Sequence, residues 1–233
     1  MKKYSIAFLL SLCFLSSSSG QQFSSDNYLS KPHGTATIIL TTGQRNTMFM
    51  NTFSLFPRWE FTAAVYVYKN DNSRLTDDGY SLSTYAKYMV YENKEKTGGF
   101  AVKAGTGLDP GYIDGDQKVR EASETVWMNA PVTVPFFNNK VSWDAMPGVS
   151  MTRNYGDKKE TAWAFTYATR LAWYPFDPKY AVVGEVFGSK GEVESVPEFR
   201  TGVRWEPSQY ANFALTYGSK FDDTKGAGWE FGI

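Results

Sequence analysis

The sequence predicts an all-β protein, an antiparallel up-and-down transmembrane β-barrel of about 12 strands. Three observations indicate this fold. Apolar side chains recur at every second position in many segments, tryptophans lie near the ends of several of these segments, and the connections between them alternate between two kinds. No stretch after residue 20 approaches the roughly 20 consecutive apolar residues that a membrane-spanning helix needs.

Residues 1–20 have the three parts of a secretory signal peptide. Lys2 and Lys3 precede an apolar stretch from Tyr4 to Leu15, and small residues end the segment at Gly20. We expect cleavage after about Gly20. The segment 21–33 is polar and is predicted to be a periplasmic N-terminal tail, and 34–233 are predicted to form the barrel.

Composition narrows the chemistry available to the mature chain. The only cysteine, Cys13, lies in the predicted signal peptide, so a disulfide or a thiolate site is not expected. Lysine plus arginine and aspartate plus glutamate each number 24, giving a net charge of zero. No overall field therefore favours nucleic acid, which we do not expect as a partner.

The clearest strand runs from Thr161 to Trp173. Bulky residues occupy one face from Trp163 to Trp173, and the other face carries four alanines with Thr166 and Arg170. A bilayer-crossing strand has roughly 9 to 11 residues, and aromatic residues mark its two interfaces. The segment is therefore predicted to be a wall strand with its bulky face toward lipid.

The same alternation recurs in three other segments, and each apolar face is predicted to point outward. In the first, the outer residues are Phe199, Thr201, Val203 and Trp205, and the inner ones are Glu198, Arg200, Gly202, Arg204 and Glu206. Four charges on one face exclude that face from lipid. The other two segments are 210–218 and 99–107, with Phe213 and Val102 on their outer faces.

Twelve strand candidates follow one another along the chain. Their approximate cores are 35–42, 47–55, 59–68, 80–90, 99–107, 120–130, 141–151, 161–173, 180–188, 196–205, 210–218 and a last one starting near Trp229. Charged, Gly/Asp/Asn-rich connections after Tyr68, Leu108, Arg153 and Ser219 alternate with compact Pro-aromatic corners. Short periplasmic turns and longer external loops are typical of such barrels.

Three features fit this scheme poorly. The turn predicted over 130–139 is long and contains Pro131 and Pro135. Pro147 falls within a strand, where it lacks an N–H for the ladder and is expected to need a bulge. The last strand has only 229–233 before the chain stops, so the closing strand is either unusually short or truncated.

The corners L-F-P-R-W-E-F at Leu55 and V-R-W-E-P-S-Q-Y at Val203 carry a resemblance. With the signal peptide and the alternation, the chain resembles Gram-negative outer-membrane β-barrel proteins as a class, most of all small transporter-like barrels. The resemblance covers nearly the whole chain. It implies a location in the cell outer membrane, with membrane lipid and the barrel-assembly and periplasmic chaperone machinery as partners.

Catalysis is not expected. The single histidine, His33, precedes the first strand, and outer-membrane hydrolases as classes use histidine as a base. Asp109, Asp114 and Asp116 lack the spacing of a calcium loop, so we expect no metal and no cofactor.

Charged residues on the inferred inner faces and periplasmic strand ends are the candidate lumen lining. They are Arg58, Glu60, Lys87, Lys103, Arg170, Glu185, Glu198, Arg200, Arg204, Glu206 and Glu230. Either they border a solute path, because rings of charge set selectivity, or they form an ion-paired plug. The leading expectation is a passive channel or transporter for small solutes. The alternative is a non-conducting structural or interaction barrel that presents its external loops.

Overall fold

The computed structural model describes residues 26–68, 79–109, 112–114, 117–120, 123–155, 160–208, 211–222 and 226–233. The predicted signal peptide and the charged connection after Tyr68 lie outside these ranges. Within the described residues, no helix has the length and apolar character needed to cross a membrane.

The structure confirms the predicted fold class: strands form a closed antiparallel barrel of 12 wall positions. In chain order the strands are β1 (Thr35–Gly43), β2 (Asn46–Phe56), β3 (Trp59–Tyr68), β4 (Gly79–Glu92), β5 (Gly99–Asp109), β6 (Tyr112–Asp114), β7 (Gln117–Arg120), β8 (Ser123–Asn129), β9 (Val132–Phe136), β10 (Val141–Tyr155), β11 (Glu160–Trp173), β12 (Tyr180–Gly191), β13 (Ser195–Ser208), β14 (Ala211–Lys220) and β15 (Gly228–Gly232).

The ring closes because each wall strand pairs with both of its neighbours. From β1 to β5 and from β10 to β15, strands that are consecutive in sequence pair side by side, and β15 returns to pair with β1. Strands β8 and β9 together fill the one remaining wall position between β5 and β10. The short strands β6 and β7 form a separate hairpin within the charged connection after Leu108.

The two faces of the wall have opposite chemistry, as the alternation predicted. On β11, Trp163 is 56% exposed and Trp173 52%, whereas Ala164 and Ala172 on the other face are 4% and 2% exposed. Strands β5, β13 and β14 show the same arrangement. Bulky apolar residues therefore cover the outside of the barrel, and small and polar residues line the inside.

The expectations about prolines and the long turn are corrected. Half of the predicted turn 130–139 is strand β9, and the actual turn is 137–140. Pro147 needs no bulge, because the β10–β11 register is continuous there. The carbonyl of Pro147 accepts the Ala130 N–H. An N–H at position 147 would point to the same neighbour, so Ala130 marks the place where the proline leaves the ladder without a donor. That is where β8 ends and β9 begins, at Pro131, so the ladder is already interrupted.

The last strand is as short as the sequence predicted. β15 has five residues and pairs only with the C-terminal end of β1, where Gly43 is opposite Glu230 and Thr41 is opposite Gly232. We call the end of the barrel that contains Pro57 and the 137–140 and 174–179 turns the turn end. The opposite end, which includes the 192–194 connection, is called the loop end.

Candidate functional site

The N-terminal segment, residues 26–33, lies inside the turn end of the barrel. It has no strand, and Asp26, Tyr28 and Ser30 are only 6%, 3% and 7% exposed. His33, at its end, is exposed. The segment therefore occupies part of the lumen without belonging to the wall.

Hydrogen bonds to several strands hold this segment. The Tyr28 N–H donates to Thr133 Oγ1 on β9 at 3.3 Å, and the Lys31 N–H donates to Glu60 Oε1 on β3 at 2.7 Å. The Lys87 ammonium on β4 donates to the Leu29 carbonyl at 2.8 Å. The segment is thus fixed to the inner faces of β3, β4 and β9, which lie within four consecutive positions of the wall.

Charges meet where the segment crosses the lumen. Lys87 Nζ lies 2.6 Å from Glu60 Oε2 and 3.4 Å from Asp26 Oδ1. Lys103 Nζ lies 3.4 Å from Asp26 Oδ2 and 4.1 Å from the centre of the Tyr85 ring. Asp26 and Glu60 together therefore balance the charges of two buried lysines that belong to adjacent strands.

A second buried pair lies across the same end. Arg170 donates to Asp144 Oδ2 from Nε at 2.9 Å and from its terminal nitrogen at 2.7 Å, while Thr133 Oγ1 donates to Asp144 Oδ1 at 2.6 Å. Asp144 is 2% exposed and Arg170 5%. Because Thr133 also accepts the Tyr28 N–H, this pair is connected to the N-terminal segment.

Two further groups complete the charged interior. At the turn end, Arg204 pairs with Glu206 at 2.7 Å and also donates to the Tyr174 hydroxyl. At the loop end, Arg200 Nε lies 3.6 Å from both Glu198 Oε1 and Glu230 Oε2. In the described part of the chain, these inner-face side chains thus lie next to side chains of opposite charge.

Ten of the eleven lumen-lining candidates lie on the inner face of the wall. Glu60, Lys87, Lys103, Arg170, Glu185, Arg204 and Glu230 are buried, and Glu198, Arg200 and Glu206 are partly covered. Arg58 is the exception. It occupies the exposed turn between β2 and β3 with a φ of 68°, and its guanidinium donates to the Val90 carbonyl at 3.4 Å.

Two acidic residues central to these networks were missed from the sequence. Asp144 lies on the inner face of β10 with Met146 and Ser150, so the period-two pattern of that strand could have identified it. Asp26 had no such signal, because it lies in a segment without alternation. Nothing local in the sequence indicates that this segment folds back into the barrel.

The remaining space inside the barrel is divided. A cavity of about 40 Å³ lies beside Asp26 and Lys87, and one of about 190 Å³ lies between Asp144 and Tyr174. A third, of about 430 Å³, lies toward the loop end between β8, β10, β11 and β12. The turn end is therefore filled by charged side chains and the N-terminal segment, while the loop end retains a chamber.

No protein-family model matches the sequence, and no curated protein is significantly similar to it. Among the described residues, no group of three or more histidine, cysteine, aspartate or glutamate side chains is arranged to hold a metal ion.

The ionisation of Asp26 should make the docking of the N-terminal segment pH-dependent. Burial opposes ionisation of this carboxyl, but Lys87, Lys103 and Arg170 outweigh burial and hold its pKa below the usual 3.8. A lowered carboxyl pKa stabilises the folded state above the unfolded pKa, and this stabilisation is lost as pH falls through the folded pKa. We expect the melting-temperature difference between wild type and Asp26→Asn to be constant above pH 3.8 and to shrink at lower pH. A difference that does not change with pH would contradict this assignment.

Proposed function

We propose that this chain is an outer-membrane β-barrel that passes small polar solutes through a lumen closed at rest by its own N-terminal segment. The observation that carries the proposal is the chemistry of the two faces. The outside of a closed ring is apolar, whereas the inside is polar and charged. In water such a continuous apolar exterior would be strongly unfavourable, but it is suited to hydrocarbon.

The dimensions of the exterior support a bilayer location. Trp163 and Trp173 mark the two ends of the outer face of β11, and Phe165 and Leu171 lie between them, 51% and 53% exposed. The ten steps from Trp163 to Trp173, at about 3.3 Å each with the usual barrel tilt, span about 25 Å across the membrane. That equals the typical apolar band of an outer-membrane barrel. Membrane lipid is therefore a proposed partner, together with the periplasmic chaperones and assembly machinery that such barrels require.

The lumen supports a gated path better than a permanently open one. At the turn end the charges are paired and buried, and segment 26–33 fills the space together with wall side chains such as Glu60, Lys87 and Arg170. This segment makes no ladder with the wall, so it can leave without breaking a strand. Its departure would expose Lys87, Lys103 and Glu60 to solvent as a mixed-charge constriction.

A second candidate, a non-conducting structural barrel, is favoured by one specific observation. Asp144, Arg170 and Glu185 belong to the wall itself and are each no more than 5% exposed. A permanent ion-paired filling of this kind would keep the lumen shut even after the N-terminal segment left.

Fractionation and bilayer conductance test the proposal together. We expect the mature protein in the outer membrane, with heat-modifiable migration on a gel, and rare brief openings in planar bilayers. Asp26→Asn removes one carboxylate partner of Lys103 and one of Lys87, which keeps Glu60, and each interaction is worth about 1.5 to 3 kcal/mol. The fraction of time spent open should therefore rise about tenfold or more.

Glu95→Gln is the matched control, since it makes the same change of charge at the same end in an exposed turn. It should leave the openings unchanged. Recovery of the mature protein from the soluble periplasm would reject the membrane barrel. Membrane insertion with no conductance in either variant would favour the structural barrel.

A further inference from the structure

The chamber at the loop end is distinct from the charged interior in both place and chemistry. Its volume of about 430 Å³ lies within the range of small-molecule sites, about 300 to 1,000 Å³. Six serine and threonine side chains from four wall strands and the start of β13 line it: Thr125, Ser150, Thr152, Thr166, Ser189 and Ser195. Within the described residues, the lining contains no charged side chain.

Hydrogen bonds position these hydroxyls relative to one another. Thr125 Oγ1 and Thr152 Oγ1 are 3.0 Å apart, and Thr166 Oγ1 donates to Asn129 Oδ1 at 3.1 Å. A hydroxyl has one donor and two acceptor sites, so a single bond leaves it able to accept from a ligand. The Asn129 amide adds donors as well. The chamber therefore has a fixed set of neutral donors and acceptors on several sides.

The aromatic ring of Trp127 also lines the chamber, and two glycines outside the lining make room for it and for Asn129. Trp127, on the inner face of β8, has its ring 5.5 Å from that of Tyr85. A Cβ atom at Gly105 would come within 2.7 Å of the Trp127 ring, and one at Gly148 would overlap the Asn129 side chain. Glycines on the two neighbouring strands thus make the space in which these two side chains lie against the wall.

The nearest cations are already occupied. Lys103 lies 5.4 Å from the Trp127 ring and is paired with Asp26, and Arg200 lies 5.0 Å from the Phe187 ring and is within 3.6 Å of two carboxylates. An anionic ligand would find no uncommitted cation lining the chamber. An apolar ligand would desolvate the hydroxyls without replacing their hydrogen bonds, which is costly.

We infer that this chamber binds a neutral polyhydroxylated solute of sugar size, with hydroxyls hydrogen-bonded to the threonine and serine side chains and one ring face against Trp127. Such a ligand has donors and acceptors that match the lining and an apolar C–H face that suits an aromatic surface. The inference deepens the proposed function by naming the solute class. The role of this solute in transport therefore rests on the proposed function, whereas its binding in the chamber does not.

Titration calorimetry on the full mature protein, folded in a detergent without a sugar headgroup, tests this directly. Glucose, glucuronate and glucosamine are pyranoses of similar size that differ in charge, and maltose extends the neutral ligand. We expect glucose and maltose to bind saturably, and the two charged compounds to bind about tenfold more weakly or not at all, because no opposite charge lines the chamber.

Variants locate the binding. Trp127→Leu and the nearly isosteric Thr152→Val should each weaken glucose binding about tenfold, a change equivalent to about 1.4 kcal/mol. Trp205→Leu on the outer face, where the side chain is 44% exposed, should leave affinity unchanged. Retained heat-modifiable migration would show that each variant is folded.

Two outcomes would overturn the inference: no saturable binding of the neutral sugars, or equal binding of all three charge types. The result is separable from the proposed function. Conductance without sugar binding would reject only the solute class. Sugar binding by a protein that fails to reach the outer membrane would reject only the transport role.

Discussion

Replacing Asp144 with alanine is expected to cost about 3 to 5 kcal/mol of unfolding free energy, the largest effect of any single substitution considered for this barrel. Asp144 is 2% exposed and accepts two hydrogen bonds from Arg170 and one from Thr133. Its removal leaves the arginine charge buried without that acceptor. The truncation also removes the acceptor of the Thr133 hydroxyl, which itself accepts the Tyr28 N–H of the N-terminal segment.

Chemical unfolding of the detergent-folded protein measures this cost. Glu124→Ala is the matched control, because Glu124 forms an ion pair at 3.9 Å with Arg153 and both side chains are about half exposed, at 42% and 58%. Exposed pairs contribute about 0 to 1 kcal/mol, so this variant should unfold almost as wild type does. Similar costs at the two positions would show that water reaches Asp144, and that the turn end is more open than the structure indicates.

The second large effect is expected on the outer face. Phe165 is 51% exposed on β11, and Phe165→Arg places a cation in the proposed apolar band. A lysine or arginine near the bilayer midplane costs about 2 to 4 kcal/mol, and less toward the interfaces. Because Phe165 lies between Trp163 and the midplane, we expect about 2 kcal/mol at this position, measured by reversible unfolding in lipid vesicles.

Ala164, the neighbour of Phe165, provides the control that shows which face of β11 contacts lipid. Ala164 is 4% exposed on the inner face, where Ala164→Ser should be nearly silent because a hydroxyl is compatible with a polar lumen. If both substitutions were tolerated equally in vesicles, the outer face would not be in contact with hydrocarbon. The variant pair therefore tests membrane insertion independently of conductance.

The wall of the barrel was accessible from the sequence because its signal is local. Alternation along β11 predicts which residues face outward, and the exposed Trp163 and buried Ala164 agree with it. The missed strand β9 shows the limit of that approach. Pro131 and Pro135 indicated a turn. In the structure the break between β8 and β9 at Pro131 lies beside Pro147 on β10, and this pairing of two different strands cannot be read from the sequence around either proline.

The interior was less predictable for a related reason. Alternation shows that Arg170 and Lys103 point inward, but the stagger between strands decides which opposite charges they meet. Asp144 on β10 pairs with Arg170 on β11. Asp26 contacts Lys103 from the N-terminal segment inside the lumen, which is not part of the wall. Asp26 and Lys103 are distant in the chain, and residue spacing contains no information about such a contact.

Pro147 on β10 and Pro131, which adjoins its partner Ala130 at the break between β8 and β9, have a dynamic consequence. Pro147 lacks an N–H on the side that faces Ala130, and Pro131 lacks one on the side where its carbonyl accepts the Ala101 N–H of β5, so the wall position shared by β8 and β9 has fewer inter-strand bonds at both edges than a regular strand. A closed barrel opens most easily where neighbouring strands share the fewest hydrogen bonds. Transient parting of the wall should therefore begin here, giving the interior a sideways exit toward the surrounding medium, beside Thr133 and the charges it anchors.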